Sequence, residues 1–180
     1  MTHIHDAPAR WLIEHAALLP RSGLALDVAC GRGRHARWLA ERGFSVRAID
    51  RNAEAIAALR AEAARLHLAI EAVVVDLETG PAPLEPDRYD VIVVVHYLHR
   101  PLFPALVAAL RPGGVLVYET FTRAQAERGK PTNPAFLLEP GELGSAVQPL
   151  TILEQREGVF DDRAVASIVA MRPPAGAGAA

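Results

Sequence analysis

Apolar residues fall in short continuous runs, separated by alanine-rich and charged stretches of helical period. Leu24 to Val28, Phe44 to Ile49, Ala69 to Val75, Val91 to Val95 and Val115 to Thr120 read as five strands. Val91 to Val95 is apolar at every position, which predicts a central strand of a parallel sheet, buried on both faces. Between the runs, Arg34 to Glu41 carries Trp38 and Leu39 on one face. Residues 53–67 place Ile56, Leu59, Ala63 and Leu66 on one stripe, and Pro101 to Leu110 places Leu102, Leu106 and Leu110 at i, i+4 and i+8. Pro8 suits the first turn of an N-terminal helix within residues 1–23, with Trp11, Leu12, His15, Leu18 and Leu19 as its stripe, ended by Pro20 to Gly23. Trp11 is expected in the core, and Trp11 and His15 are also candidates for a lid. Leu150 to Gln155 and Ala164 to Met171 read as two further strands around a turn at Gly158 to Arg163. The alternation predicts a doubly wound α/β fold.

Between these elements, Arg111 to Gly114 reads as a sharp turn and Gly80 to Arg88 as a proline-rich loop. Phe121 to Leu143 is a long connection, and such a length in a compact domain points to function. Residues 1–6 read as a loose leader and 173–180 as a disordered Pro/Gly/Ala tail. The expected organisation is one domain over residues 1–172.

Half the chain is apolar (51%) and 22% is charged, enough for a sizeable core. A net charge of −2 gives no general basic footprint for nucleic acid. Arg32, Arg34 and Arg37 are the candidates for a local basic patch, read here as a solvated face with salt-bridge partners. The single cysteine, Cys30, excludes an internal disulfide framework and is read as a packing residue. His3 and His5 lack partner ligands, and no metal-ligand spacing is found. The N-terminus has no signal pattern and Val91 to Val95 is too short to span a bilayer. A cytoplasmic location with no membrane association is expected.

The chemistry centres on Asp27-Val28-Ala29-Cys30-Gly31-Arg32-Gly33-Arg34, a strand breaking into a small-residue turn and entering a helix. Such a turn binds the polar part of a nucleotide-like ligand. The series Ala29-x-Gly31-x-Gly33 lacks the third glycine of G-x-G-x-x-G. Asp27 would repel a pyrophosphate but suits the ammonium of a methionine moiety. Alanine at position 29 is expected to require a negative φ. Asp50 ends the second strand 23 residues beyond Asp27, a separation that suits ribose hydroxyls. It also sits in a helix N-cap region, Asp50-Arg51-Asn52. Asp76 and Leu77 follow the third strand, where Asp76 alone also reads as a turn former. His96 and Tyr97 follow the fourth, at the edge where ligands of open α/β sheets sit.

The first motif, together with Leu110-Arg111-Pro112-Gly113-Gly114-Val115-Leu116-Val117, resembles the class I S-adenosylmethionine-dependent methyltransferases over residues 24–171. Within that class it is similar to small stand-alone enzymes such as the tellurite-resistance methyltransferases. The family's first motif usually has glycine where this chain has Ala29. The resemblance implies a Rossmann-like methyltransferase fold, a mostly parallel seven-stranded sheet with a C-terminal antiparallel hairpin. It implies S-adenosyl-L-methionine as cofactor, held by Asp27, Ala29, Cys30, Gly31, Gly33, Asp50, Arg51, Asp76, Leu77 and His96. Methyl transfer to a small-molecule acceptor would then involve His96 and Tyr97 as catalytic candidates. His99, Tyr118, Glu119, Lys130 and Asn133 are substrate-side candidates. Only one of Tyr118 and Glu119 can face the site, because strand neighbours alternate. His96 has an ordinary pKa suited to a base at neutral pH. Asn133-Pro134-Ala135-Phe136 looks like a motif of amino-group methyltransferases, but it follows the fifth strand rather than the fourth. A monomer or homodimer is expected. The competing readings are a non-catalytic cofactor-binding or partner subunit, and an NAD-dependent oxidoreductase.

Overall fold

The computed structural model describes residues 7–80 and 83–176. The leader, residues 81–82 of the proline-rich loop and the last residues of the tail lie outside that range. Seven strands form one sheet: β1 (Gly23–Val28), β2 (Phe44–Asp50), β3 (Ile70–Val74), β4 (Tyr89–Val95), β5 (Leu110–Phe121), β6 (Thr151–Phe160) and β7 (Arg163–Met171). Their order is β3-β2-β1-β4-β5-β7-β6. The first five run parallel, and β7 lies antiparallel between β5 and β6. A dinucleotide-binding sheet runs 3-2-1-4-5-6, so the inserted β7 separates the two folds. Strand order reverses between β1 and β4, and this is the edge at which the glycine turn emerges.

The period of two along each strand divides the core between the faces. Leu26, Val28, Ile92, Val94 and Tyr118 pack on one side with α4 (Phe103–Ala109) and α5 (Glu142–Ala146). Ala25, Val91, Val93 and Val117 pack on the other with α1 (Arg10–Glu14), α2 (Arg34–Ala40) and α3 (Ala53–Leu66). α3 begins at Asn52, whose side chain accepts the Ala55 N–H at 3.0 Å. Ile56, Leu59 and Ala63 are buried as the stripe predicts, whereas Leu66, in the last turn, is 40% exposed.

Several boundaries differ from expectation. The N-terminal helix is two short pieces, α1 and a 3-10 turn at Ala16–Leu18. His15 leaves helical geometry there; its Nδ1 lies 2.8 Å from the Trp11 carbonyl and its ring packs on the indole. Trp11 is a core anchor rather than a lid. Its indole N–H donates to the Ile168 carbonyl at 3.0 Å, which fastens the N-terminal segment to β7. The expected Arg111–Gly114 turn is the irregular opening of β5: Tyr89 pairs with Leu110, the register shifts, and regular pairing resumes at Val91 with Val115. A Cβ on Gly114 would stand 2.9 Å from the carbonyls of Arg111 and Tyr89, so only glycine allows that approach. The hairpin turn is only Asp161 and Asp162, both at positive φ, so β6 runs on to Phe160.

The connection 121–143 is not an open loop. It carries 3-10 turns at Arg123–Glu127 and Pro134–Phe136, and Thr122 bridges to Leu138. Leu137 and Leu138 are buried. The Arg100 guanidinium donates to the carbonyls of Ala135 and Leu137 and to Glu142, which holds the segment against the start of α5.

Candidate active site

The site grows from the end of β1. Asp27 is wholly buried and its Oδ2 accepts the Ala36 N–H at 2.9 Å. Gly33, the residue before α2, has no side chain to cap the helix, so Asp27 supplies the cap from the neighbouring strand. The other oxygen, Oδ1, has no hydrogen-bond partner among the described residues. His35 Nδ1 stands 3.7 Å from it, beyond hydrogen-bonding range. His35 Nε2 accepts the Ala9 N–H at 3.2 Å, which puts the neutral ring's proton on Nδ1, facing Asp27.

The turn itself is left-handed. Ala29 has φ 52°, Gly31 φ 55° and Gly33 φ 77°. The expectation of a negative φ at Ala29 is therefore wrong; the alanine takes the conformation glycine takes at no cost. It is held there because Cys30 donates its N–H to the Ile49 carbonyl at 3.0 Å and Gly31 donates to Asp50 Oδ2 at 2.8 Å. The two glycines have different reasons. A Cβ on Gly31 would meet nothing within 4 Å, so the turn is open there, whereas on Gly33 it would stand 2.5 Å from the Leu59 side chain. Gly33 thus serves the packing of α2 on α3. Cys30 packs in the core, where burial pushes its thiol pKa up, and the thiol donates to the Gly31 carbonyl at 3.6 Å, so it serves the turn's structure.

Asp50 is not the helix cap, because Asn52 takes that role. Its two oxygens accept from Gly31 and, at 2.8 Å, from the Asn52 N–H, which fixes the carboxylate beside the turn. Asp76 accepts the Glu78 N–H at 2.9 Å and sits at the end of β3. Asp50, Arg51, Asp76, Leu77, His96 and Tyr97 converge, with Ala29, on one cavity of about 270 Å³. Phe136, from the connection after β5, closes part of the same cavity. Burial and the nearby carboxylates Glu78 and Asp76 push the Tyr97 phenol up to about 12, so it stays protonated at neutral pH.

His96 stands where three cavities meet, the one above and two on its other sides. Its φ is 57° and its ring stacks on Phe121 at 4.7 Å between centroids. Nε2 is buried without a hydrogen-bond partner among the described residues. Burial, with Arg163 and Arg34 nearby, lowers its pKa to about 4. The ring is neutral at pH 7, but a far weaker base than its ordinary value suggests.

The choice between Tyr118 and Glu119 falls to Glu119. Tyr118 is buried on the α4 face and its hydroxyl donates to the Tyr97 carbonyl at 2.8 Å, so it is structural. Glu119 faces His96, with Oε1 4.0 Å from Nε2. Its Oε2 accepts from Ser167 at 2.7 Å and from Arg156 at 3.2 Å. Lys130 and Asn133 line a second cavity of about 550 Å³ beside His96, with Thr120, Phe121 and Phe136. Asn133 Oδ1 is committed to the Ala135 N–H at 3.0 Å. His99 lines none of the three cavities and does not join the site. Of the three basic candidates, Arg37 pairs with Glu62 at 2.6 Å, Arg32 is exposed, and Arg34 turns to a third cavity.

Arg156 and Arg163 were not legible as site residues. They belong to the terminal hairpin, and only its register brings them to His96. Glu119, Ser167 and Arg156 form a row across β5, β7 and β6.

A 3-2-1-4-5-7-6 sheet with an acidic-rimmed cavity at its switch point defines a class, the Rossmann-like methyltransferases. The family described as "Methyltransferase domain" matches residues 25–114, half of the chain. The chain belongs to this family, whose cofactor is S-adenosyl-L-methionine. It is 32% identical to a ubiquinone biosynthesis O-methyltransferase of Bradyrhizobium sp. (strain ORS 278), over 68% of this chain and 50% of that protein. The chain spans about half the length, or less, of the curated relatives it matches. Among solved structures, an S-adenosylmethionine-dependent methyltransferase from Mesorhizobium loti superposes with a TM-score of 0.72 at 21% identity, covering 91% of this chain and 98% of that one. TehB from Haemophilus influenzae gives a TM-score of 0.72 at 21% identity, covering 96% and 63%. These two likenesses concern the fold. Among the described residues no helix is long and apolar enough to cross a membrane.

Proposed function

We propose that the protein is an S-adenosylmethionine-dependent methyltransferase acting on a small-molecule acceptor. The observation that carries this reading is the carboxylate of Asp50, fixed by Gly31 and Asn52 on the rim of the switch-point cavity. A carboxylate accepts from two neighbouring hydroxyls at once, so Asp50 is assigned to the ribose. Asp76 and the Leu77 backbone, on the same cavity, are assigned to the adenine edge. The turn from Ala29 to Gly33 offers open backbone to the methionine moiety, and the orphaned Asp27 Oδ1 beneath it suits an ammonium reached directly or through water. When bound, the cofactor would supply a sulfonium methyl group, open to in-line attack by an acceptor lone pair with the sulfur as leaving group.

The chain's own residues then orient the partners and exclude water, the two means by which such a transfer is accelerated. His96 and Tyr97 wall the cavity on the acceptor side; His96 is neutral at pH 7, a weak proton acceptor. The flanking cavities of about 550 and 460 Å³ are of small-molecule size. The relative named for ubiquinone biosynthesis acts in the same direction.

Calorimetric titration of S-adenosylmethionine and adenosylhomocysteine into wild type and Asp50→Asn tests the reading. Micromolar binding that weakens ten-fold or more in the variant, about 1.4 kcal/mol, is expected. Absence of binding to the wild type sinks it.

A further inference from the structure

The third cavity at His96, of about 460 Å³, lies on the side of the site away from Lys130 and Asn133. The residues that matter to its charge are Arg34, Arg156, Arg163, Arg10, Glu119 and Asp161. Most of these are already neutralised. Arg156 is bonded to Glu119 at 3.2 Å and lies over the rings of Trp11 and Phe160, 4.6 and 4.1 Å from their centroids. Arg10 is 3.5 Å from Asp161 and 2.7 Å from Glu14. Arg34 and Arg163 are left over. Among the described residues the guanidinium of neither has a hydrogen bond or an ion pair. Arg34 is half-buried, and burial, with Arg163 nearby, lowers its pKa; the charges of Asp27 and Glu119 offset this only in part, and no carboxylate among the described residues bonds its guanidinium.

We propose that this cavity is the acceptor site and that the acceptor is a small organic anion, its charged group held by Arg34 and Arg163 with its accepting atom toward His96. The proposal rests on the methyltransferase reading above. Two guanidiniums facing one cavity suit a carboxylate or another oxyanion, which each can grip through paired N–H groups. The same positive field disfavours a second cation, so a protonated amine is a poor occupant. In the transfer, a lone pair of the acceptor bonds to the methyl carbon, and the pair of the broken carbon–sulfur bond stays on sulfur. Any proton on the accepting atom leaves to His96 Nε2 or to solvent. The second cavity, lined by Phe121, Pro131 and Phe136, carries one lysine and is the less charged of the two.

The carboxylate of the cofactor's own amino-acid tail has the same chemistry, and the test separates the two. Benzoate and benzamide are titrated calorimetrically into protein saturated with adenosylhomocysteine, for wild type, Arg34→Gln and Arg163→Gln. Benzoate is expected to bind at least ten-fold more tightly than benzamide to wild type. Each variant is expected to lose most of that preference while its affinity for adenosylhomocysteine stays within two-fold. Equal binding, or no binding, of benzoate and benzamide to the loaded wild type overturns the proposal. A ten-fold loss of adenosylhomocysteine affinity in the variants also overturns it, and gives the arginines to the cofactor. Failure of wild type to bind adenosylhomocysteine is a different result, which removes the methyltransferase reading and this proposal with it.

Discussion

His96 Nε2 faces Glu119 Oε1 at 4.0 Å, and the His96 backbone N–H donates to the Glu119 carbonyl at 2.8 Å. The backbone bond joins the end of β4 to β5, so the two side chains are held together by sheet pairing, not by their own contact. Glu119 is in turn held through its other oxygen by Ser167 and Arg156. The imidazole thus meets a fixed carboxylate on one side and the Phe121 ring on another.

His96→Asn is expected to leave adenosylhomocysteine binding within two-fold and to slow methyl transfer about ten-fold. A base well matched to its task contributes roughly 10²–10⁴-fold. A group lowered to about 4 falls below that range, because it takes up a proton weakly at pH 7. Transfer of a labelled methyl group to an acceptor that the wild type turns over reads the effect. A hundred-fold loss makes His96 a stronger base than its burial allows; no loss removes it from proton transfer.

His96 also couples stability to pH. Its folded pKa of about 4 lies below the ordinary 6.5, so the unfolded chain binds the extra proton between those values. The neutral buried ring therefore costs nothing above about pH 6.5. As pH falls from there toward 4, stability is lost, by on the order of 3 kcal/mol for the full interval. Urea midpoints at pH 7, 5.5 and 4.5 are expected to fall more steeply for wild type than for His96→Asn. Asparagine suits the comparison, because it tolerates the left-handed backbone at this position.

Ala29 carries strain that glycine removes. A left-handed conformation costs an L-residue roughly 1–2 kcal/mol, against about 0.4–1 kcal/mol of added unfolded-state entropy for glycine. Ala29→Gly is expected to stabilise by about 0.5–1 kcal/mol in urea unfolding. Ala29→Val, branched at Cβ and at φ 52°, is expected to destabilise by at least about 1 kcal/mol. A stabilising valine contradicts the left-handed turn.

Tyr118→Phe deletes the hydroxyl that donates to the Tyr97 carbonyl, in a wholly buried setting. A loss of about 1 kcal/mol is expected, with cofactor affinity unchanged. Chemical denaturation gives the first quantity and calorimetry the second. Weakened binding at unchanged stability would return Tyr118 to the site.

By itself the sequence determined the parallel half of the sheet and the placing of the acidic residues of the candidate site at its strand ends. Each of those features is local. A strand's apolar run, the small residues where it turns, and the carboxylate at its end stand next to one another in the chain, as at Val28–Ala29, Ile49–Asp50 and Val75–Asp76. The position of His96 follows in the same way from the end of Val91 to Val95. What only the tertiary structure decided is everything set by register or by face. Glu119 rather than Tyr118 meets His96 because odd positions of β5 look toward α2. Arg156 and Arg163 reach the site because an antiparallel hairpin carries them back across the sheet from the far end of the chain. Ala29 adopts a positive φ because the two residues after it, Cys30 and Gly31, are tied to β2, at the Ile49 carbonyl and the Asp50 carboxylate. Strand pairing is a relation between distant segments, and no window of the sequence contains both partners.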